Sequence, residues 1–290
     1  MKKNIHIFNL QSELLDLGIN EENSIGNDII LLEKPVIRPG FSYPFKSDVF
    51  TAIICLSGKS EGFINLSPQV SSASSLTVFM PDQILQHKET SEDFSALLIV
   101  TSKQFIRNLN IQIGSSLFAS VNENPVLSLS ESELNSMVTY YNLLKEAVKN
   151  VDNPFRMETV LNLTRAFFYG ISYKRHKMLA HEEKSKNKVV LDDFLMLVRN
   201  YHKQERSVGF YAEKLCLTPK YFSSLIKSNS GRSAAEWIDS FVILEAKALL
   251  KSTNMTIEQI SEELHFPSQS FFGKYFKRLE GISPTEYRRK

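Results

Sequence analysis

Lys227 and Lys277 stand fifty residues apart in two stretches that repeat one another. Residues 221–237 read YFSSLIKSNSGRSAAEW, and residues 271–287 read FFGKYFKRLEGISPTEY. Phe222/Phe272, Lys227/Lys277, Gly231/Gly281, Ser233/Ser283 and Glu236/Glu286 are identical pairs. Tyr221/Phe271, Leu225/Tyr275, Ile226/Phe276 and Trp237/Tyr287 keep their chemistry. Cations repeated on a repeated frame suit holding anions at two places. The groups that make and break bonds are missing. Of six histidines only His6 and His87 fall in residues 1–130, and no His-x-His occurs. A metal needs three or four convergent ligands, so no metal is expected. Cys55 and Cys216 lack the spacing of a catalytic thiol, and no phosphate-binding glycine loop or nucleophile motif is present. We expect neither a cofactor nor an enzyme.

Charge is distributed unevenly. The whole chain carries 34 Lys and Arg against 32 Asp and Glu, a formal net of +2. Residues 184–290 hold 18 of the basic and 12 of the acidic residues, a net of +6, which leaves 16 against 20 and a net of −4 for residues 1–183. The basic excess falls on the segment with the repeat, as expected of a surface that tracks phosphates. The run Lys184, Lys186, Lys188 reads as a solvated linker.

These cations must be positioned by helices. In the second copy Thr256 and Gln259 fit a capping box, and Ile257, Ile260 and Leu264 follow at helical spacing. Pro267 interrupts the pattern. A second helix is predicted from about Ser268 to Leu279, with Phe272, Tyr275, Phe276 and Leu279 on one face and Gly281 at its stop. Ser283-Pro284-Thr285-Glu286 starts another. The first copy follows suit, with Ala212 and Leu215 on its first helix and a second helix from about Thr218 to Ser228 burying Phe222, Leu225 and Ile226. Upstream of the turn the repeat distance drops from fifty to forty-nine, so the second turn is one residue longer. Each copy reads as a helix-turn-helix, whose second helix enters the major groove in DNA-binding versions. The pattern alone is also compatible with a helical bundle carrying an old duplication.

Residues 188–290 resemble the AraC/XylS family of bacterial transcription regulators. The resemblance rests on His265-Phe266-Pro267-Ser268-Gln269-Ser270-Phe271-Phe272-Gly273-Lys274-Tyr275-Phe276-Lys277, then Gly281-Ile282-Ser283-Pro284 and Tyr287-Arg288. Against the family pattern, His265 stands for a Gly, Ser261 for a small Ala, Lys274 for an Arg, and Ser224 for the Arg of the first unit. The resemblance implies seven helices in two subdomains joined by one long helix, here Ala234 to Lys251, packed through Ile238, Phe241, Val242, Leu244, Ala248 and Leu249. It implies that both recognition helices face one side of double-stranded DNA in successive major grooves, about 34 Å apart. Carried over by position, Lys220, Ser223 and Ser224 in the first unit and Gln269, Ser270 and Lys274 in the second face base edges. Gln pairs with adenine and Lys donates to guanine. Gly273 allows close approach. Thr218 and Ser268 at helix starts, with Lys227, Lys277 and Arg278, are assigned to the DNA backbone. Phe272, Phe276, Trp237 and Tyr287 are assigned to the core.

The first two-thirds read differently. Val49 to Leu56 and Glu61 to Leu66 flank Ser57-Gly58-Lys59 and read as a hairpin. Leu76, Val78 and Met80 lead to Pro81-Asp82, and Phe94 to Val100 is another apolar run. This predicts a mainly β barrel or sandwich over residues 1–130, cupin-like by the resemblance. Arg38, Tyr43 and His87 are candidates to hold a polar effector, although His87 reads more readily as an ordinary loop histidine. Two helices follow, one after Ser130 as cap and one starting at Asn153-Pro154 and running to about Met178. The expected organisation is a sensor domain (1–130), a helical dimerisation or coupling segment (131–180), a linker (181–188) and an all-α DNA-binding domain (189–290). No signal peptide and no membrane span are expected, and two unpaired cysteines suit a reducing cytoplasm.

The leading expectation is an effector-responsive transcription regulator acting as a homodimer, with RNA polymerase as a partner by the resemblance. The alternatives are a DNA-binding regulator with no small-molecule effector, governed by a protein partner or by abundance, and a cupin-type enzyme with a DNA anchor.

Overall fold

The computed structural model describes residues 22–33, 39–111, 121, 124–179 and 186–290. Contacts gather them into two compact units. One runs up to Ser42 and resumes at Lys46, continuing to residue 179. The other comprises 186–290 with Tyr43–Phe45.

The strands are β1 (Ser24–Ile25), β2 (Ile29–Leu32), β3 (Phe45–Lys46), β4 (Phe50–Ser57), β5 (Lys59–Ile64), β6 (Ser67–Ser72), β7 (Ser75–Phe79), β8 (Ile84–Thr90), β9 (Ser95–Thr101) and β10 (Val126–Ser128). They form a six-stranded sheet, β1-β2-β9-β4-β7-β10, and a four-stranded sheet, β3-β8-β5-β6. The expected hairpin between β4 and β5 is not formed. β4 pairs with β7 and β9 in the larger sheet, whereas β5 pairs with β6 and β8 in the smaller. Gly58 makes the corner between sheets at φ +68, and a Cβ there would lie 2.6 Å from Ser91 Oγ and 2.7 Å from the Phe94 backbone. A hairpin turn and a sheet-crossing corner need the same residue type, so the local signal did not separate them.

Alternation along the central strands sorts the core into two faces. Ile29, Leu31, Phe50, Ala52, Ile54, Leu76, Val78 and Ile99 belong to the face that packs on the two long helices that follow the strands. Ile30, Val49, Ala96, Leu98 and Val100 form the opposite cluster. A short helix, α1 (Lys103–Asn108), is capped by Ser102. α2 (Glu131–Lys149) starts at a complete Ser130/Glu133 capping box and buries Tyr141, Leu144 and Val148. α3 (Arg156–Leu179) begins two residues beyond the expected Pro154. Asn153 still acts at this end, its Oδ1 accepting from the Phe155 N–H at 2.9 Å. Arg156 reaches back to the Val148 carbonyl near the end of α2 and to the Ser24 carbonyl at 3.1 Å. Phe50 and Phe168 meet at 4.9 Å between sheet and helix.

The second unit contains seven helices among the described residues: α4 (Lys186–Tyr201), α5 (Val208–Lys214), α6 (Pro219–Ser230), α7 (Ala234–Ser252), α8 (Ile257–Glu263), α9 (Gln269–Glu280) and α10 (Pro284–Arg289). The long central α7 buries all six residues expected to pack, together with Ile243, Ala246, Leu250 and Glu245. α4 takes in residues 186–188, at the end of the segment read as linker, and residues 180–185 lie outside the described residues.

Candidate nucleic-acid interface

The two repeats fold into α5–α6 and α8–α9. Their turns are closed by the same bonds. Cys216 and His265 donate to Glu213 and Glu262 carbonyls at 2.9 Å. Leu217 and Phe266 donate to Ala212 and Ser261 carbonyls at 2.9 Å. Cys216 and His265 are both left-handed, at φ +56 and +52. This explains why the related family pattern has Gly where His265 stands. The extra residue of the second turn is Pro267, between Phe266 and the cap Ser268, where the first copy passes from Leu217 to Thr218 directly.

Thr218 and Ser268 cap α6 and α9, accepting from the Tyr221 and Phe271 N–H groups at 3.4 and 3.2 Å. A hydroxyl that accepts in this way keeps its own proton to donate outward. Gly231 and Gly281 stop the helices at φ +72 and +77 and donate to the Lys227 and Lys277 carbonyls. Ser233/Glu236 and Ser283/Glu286 then form complete capping boxes. The bonds from Ser233 and Ser283 hold both carboxyls below the usual glutamate range.

The inner faces of α6 and α9 are fixed by aromatic packing. Phe222 is fully buried against Phe194 at 5.1 Å, and Phe194 meets Tyr211 at 5.6 Å. Phe272 and Phe276 are fully buried and packed by Phe266 and Tyr287. Trp237 and Tyr287 are half-buried, and the Trp237 indole donates to Ser230 Oγ at 2.9 Å. Leu279 departs from expectation. It is 39% exposed, because the core side of α9 is already filled by Phe272 and Phe276.

The outer faces carry the expected residues. Lys220, Ser223, Ser224 and Lys227 on α6 are exposed, as are Gln269, Ser270, Lys274 and Lys277 on α9. Among the described residues none of these four lysines has a carboxylate within ion-pair distance. Other cations of this unit are engaged. Lys203 meets Glu245 and Glu263 at 3.2 and 2.6 Å, and Lys247 meets Glu280 at 2.6 Å. Arg278, assigned from sequence to the DNA backbone, lies 3.6 Å from Asp239 and 5.3 Å from the Tyr275 ring. Asp239 also accepts from the Tyr275 hydroxyl at 2.6 Å. Position 278 is thus tied to α7 while its side chain stays mostly exposed.

One residue with no sequence signal joins the two copies. Arg206, between α4 and α5, reaches the second turn. Its guanidinium donates to the Leu264 carbonyl and, at 3.3 Å, to the His265 carbonyl, and lies 3.9 Å over the Phe266 ring. Burial lowers its pKa from the ordinary arginine value. Beside it Glu245, 2% exposed, takes Lys203 at 3.2 Å and has His202 Nε2 at 3.7 Å.

The structure describes two of the three effector candidates. Arg38 lies outside the described residues, as does His6. Tyr43 groups with the helical unit, where its hydroxyl donates to the Lys290 carbonyl at 3.1 Å. His87 on β8 sits 2.7 Å from Thr90 Oγ1, and burial lowers its pKa. Cys55 is buried, and burial pushes its thiol up to about 11, which leaves it unreactive. No described cluster of His, Cys, Asp and Glu would hold a metal ion, and no described helix is long and apolar enough to cross a membrane.

Known proteins match this interface first. A family profile described as a helix-turn-helix domain matches residues 211–290. The arabinose operon regulatory protein of Salmonella typhimurium is 35% identical over 81 residues, 28% of this chain and 29% of that protein. The probable transcriptional regulator LumQ of Photobacterium leiognathi is 25% identical over 208 residues, 70% of this chain and 75% of that one. The chain spans less than a third of the length of the first curated relatives it matches. Among solved structures, unsaturated fatty acid-bound ToxT from Vibrio cholerae aligns with a TM-score of 0.43 and 15% identity, over 92% of this chain and 96% of that chain. With its paired helix-turn-helix units, residues 211–290 match the helix-turn-helix domain profile and are similar to the arabinose operon regulatory proteins.

Proposed function

We propose that this chain is a sequence-specific DNA-binding transcription regulator that docks α6 and α9 into successive major grooves of promoter DNA. One observation carries this reading. Both copies present lysines that have no carboxylate partner among the described residues on the outer face of the second helix, while neighbouring cations are bound within the fold. Lys220, Ser223 and Ser224, with Gln269, Ser270 and Lys274, face base edges. Thr218, Lys227, Ser268, Lys277 and Arg278 face phosphates. The second unit is the better reader, since Gln269 and Lys274 bring donors where the first has Pro219 and Ser224.

On the same reading the β-rich unit senses a small-molecule effector, with Arg38 and His87 as candidate contacts and Tyr43 left to the helical unit with which it groups, and α2 or α3 sets the geometry of a cytoplasmic homodimer. The domain limits proposed are 1–130, 131–180, 181–188 and 189–290. The output passes to RNA polymerase. Genome-wide mapping of bound DNA tests the core of this reading. Enrichment at promoters, with two protected grooves per bound chain in a footprint, is expected. Protection of one groove would remove one of the two units from the interface. Thermal shifts across metabolite sets test the sensor, because a ligand of the native state raises its melting temperature.

A further inference from the structure

We infer that Phe271 reads DNA directly, by laying its ring against the 5-methyl group of a thymine in the major groove. Tyr221 is its counterpart in the first unit. The inference rests on the reading of α6 and α9 as DNA-docking helices. Tyr221 and Phe271 are each 55% exposed, one residue before fully buried Phe222 and Phe272. They occupy one repeat position, in the first turn of the second helix of each unit. A lone exposed aromatic means little. Two at the same position of a duplicated device, each beside a groove-facing residue, mark a property of the face.

The surroundings choose the occupant. Phe271 and Lys274 are three residues apart and so share a side of α9. Lys274 and Lys277 have no carboxylate partner among the described residues, so the surface around the ring is cationic and suits a polyanion. In a helix-turn-helix the N-terminal residues of the second helix meet base edges, and the thymine methyl is the apolar group that the major groove offers. The ring is also braced from behind. Phe266 lies 6.3 Å away and is itself held under the Arg206 guanidinium at 3.9 Å. A supported ring loses little freedom on docking.

The test uses the full chain and a duplex selected in vitro from random sequence. Each thymine of the bound duplex is replaced in turn by deoxyuridine, which removes only the methyl. For the wild-type chain one such replacement under the second unit should weaken binding about fourfold, the worth of one buried methyl group. In Phe271→Ala the same replacement should cost nothing, and Phe271→Leu should retain part of the effect. Matched melting temperatures establish that the variants fold. If no replacement weakens the wild type, or if Phe271→Ala keeps the full penalty, the inference is wrong while DNA binding stands. If no duplex is selected, the DNA reading fails and takes the inference with it.

Discussion

Lys274 and Lys277 lie one helical turn apart, and different work is proposed for them. Lys274 stands beside Gln269 and Ser270 in the first half of α9, whereas Lys277 stands at its C-terminal end. Lys274→Ala should cost about 1–3 kcal/mol on a specific site and relax the preference at one base pair. Lys277→Ala should weaken all sequences alike and make the salt slope shallower by about one. Titrations against a specific and a scrambled duplex separate the two, and identical behaviour would refute the assignment. Ser261 shows the other side of residue chemistry. It is 2% exposed, and its hydroxyl has no hydrogen-bond partner among the described residues. Ser261→Ala should therefore stabilise the protein by about 1 kcal/mol in urea melts, since an unmet buried hydroxyl is a net cost.

At the scale of elements, the two turns are superposable in their bonds and share a left-handed residue. Left-handed backbone disfavours any residue with a Cβ, so His265→Gly should raise stability by about 0.5–1 kcal/mol in thermal melts, with DNA preference unchanged. The elements were legible where their causes are local. The Ser130 cap, the Ser233, Thr256 and Ser283 boxes and the Gly231 and Gly281 stops all stand where the sequence puts them. Contacts between distant residues left no such trace. Arg206 meets a turn 58 residues further on, and Tyr275 donates to Asp239 across 36 residues. The β4–β5 corner failed for a related reason, because strand partners are chosen by the whole sheet. Exposure was misread once, at Leu279, where periodicity marks a face without saying how much of it the neighbours cover.

For the molecule as a whole, a net charge of +2 conceals a basic C-terminal third and an acidic remainder. If the three cations assigned to phosphates, Lys227, Lys277 and Arg278, each displace one counterion, log K should fall with log salt at a slope of roughly −2.7, or about fortyfold between 50 and 200 mM. A slope near zero would contradict phosphate tracking. Alkaline pH addresses a different tie. Burial alone would depress Lys203, but Glu245 and Glu263 outweigh it and raise its pKa above the ordinary 10.5. Its stabilisation is therefore complete below that value and lost as the pH climbs through the raised one. Lys203→Met should cost about 3 kcal/mol at pH 7, and the difference from wild type should shrink above pH 10.5. Chemical denaturation at stepped pH checks both sign and window.

The Arg206 clasp carries an evolutionary corollary. A loop that belongs to the first copy holds the carbonyls and the ring of the second copy's turn. The two halves are thus coupled through one side chain rather than interchangeable cassettes. A graft that imports α8 and α9 from a relative without its matching loop should arrive with its reading head mis-set, whatever bases the imported helix prefers.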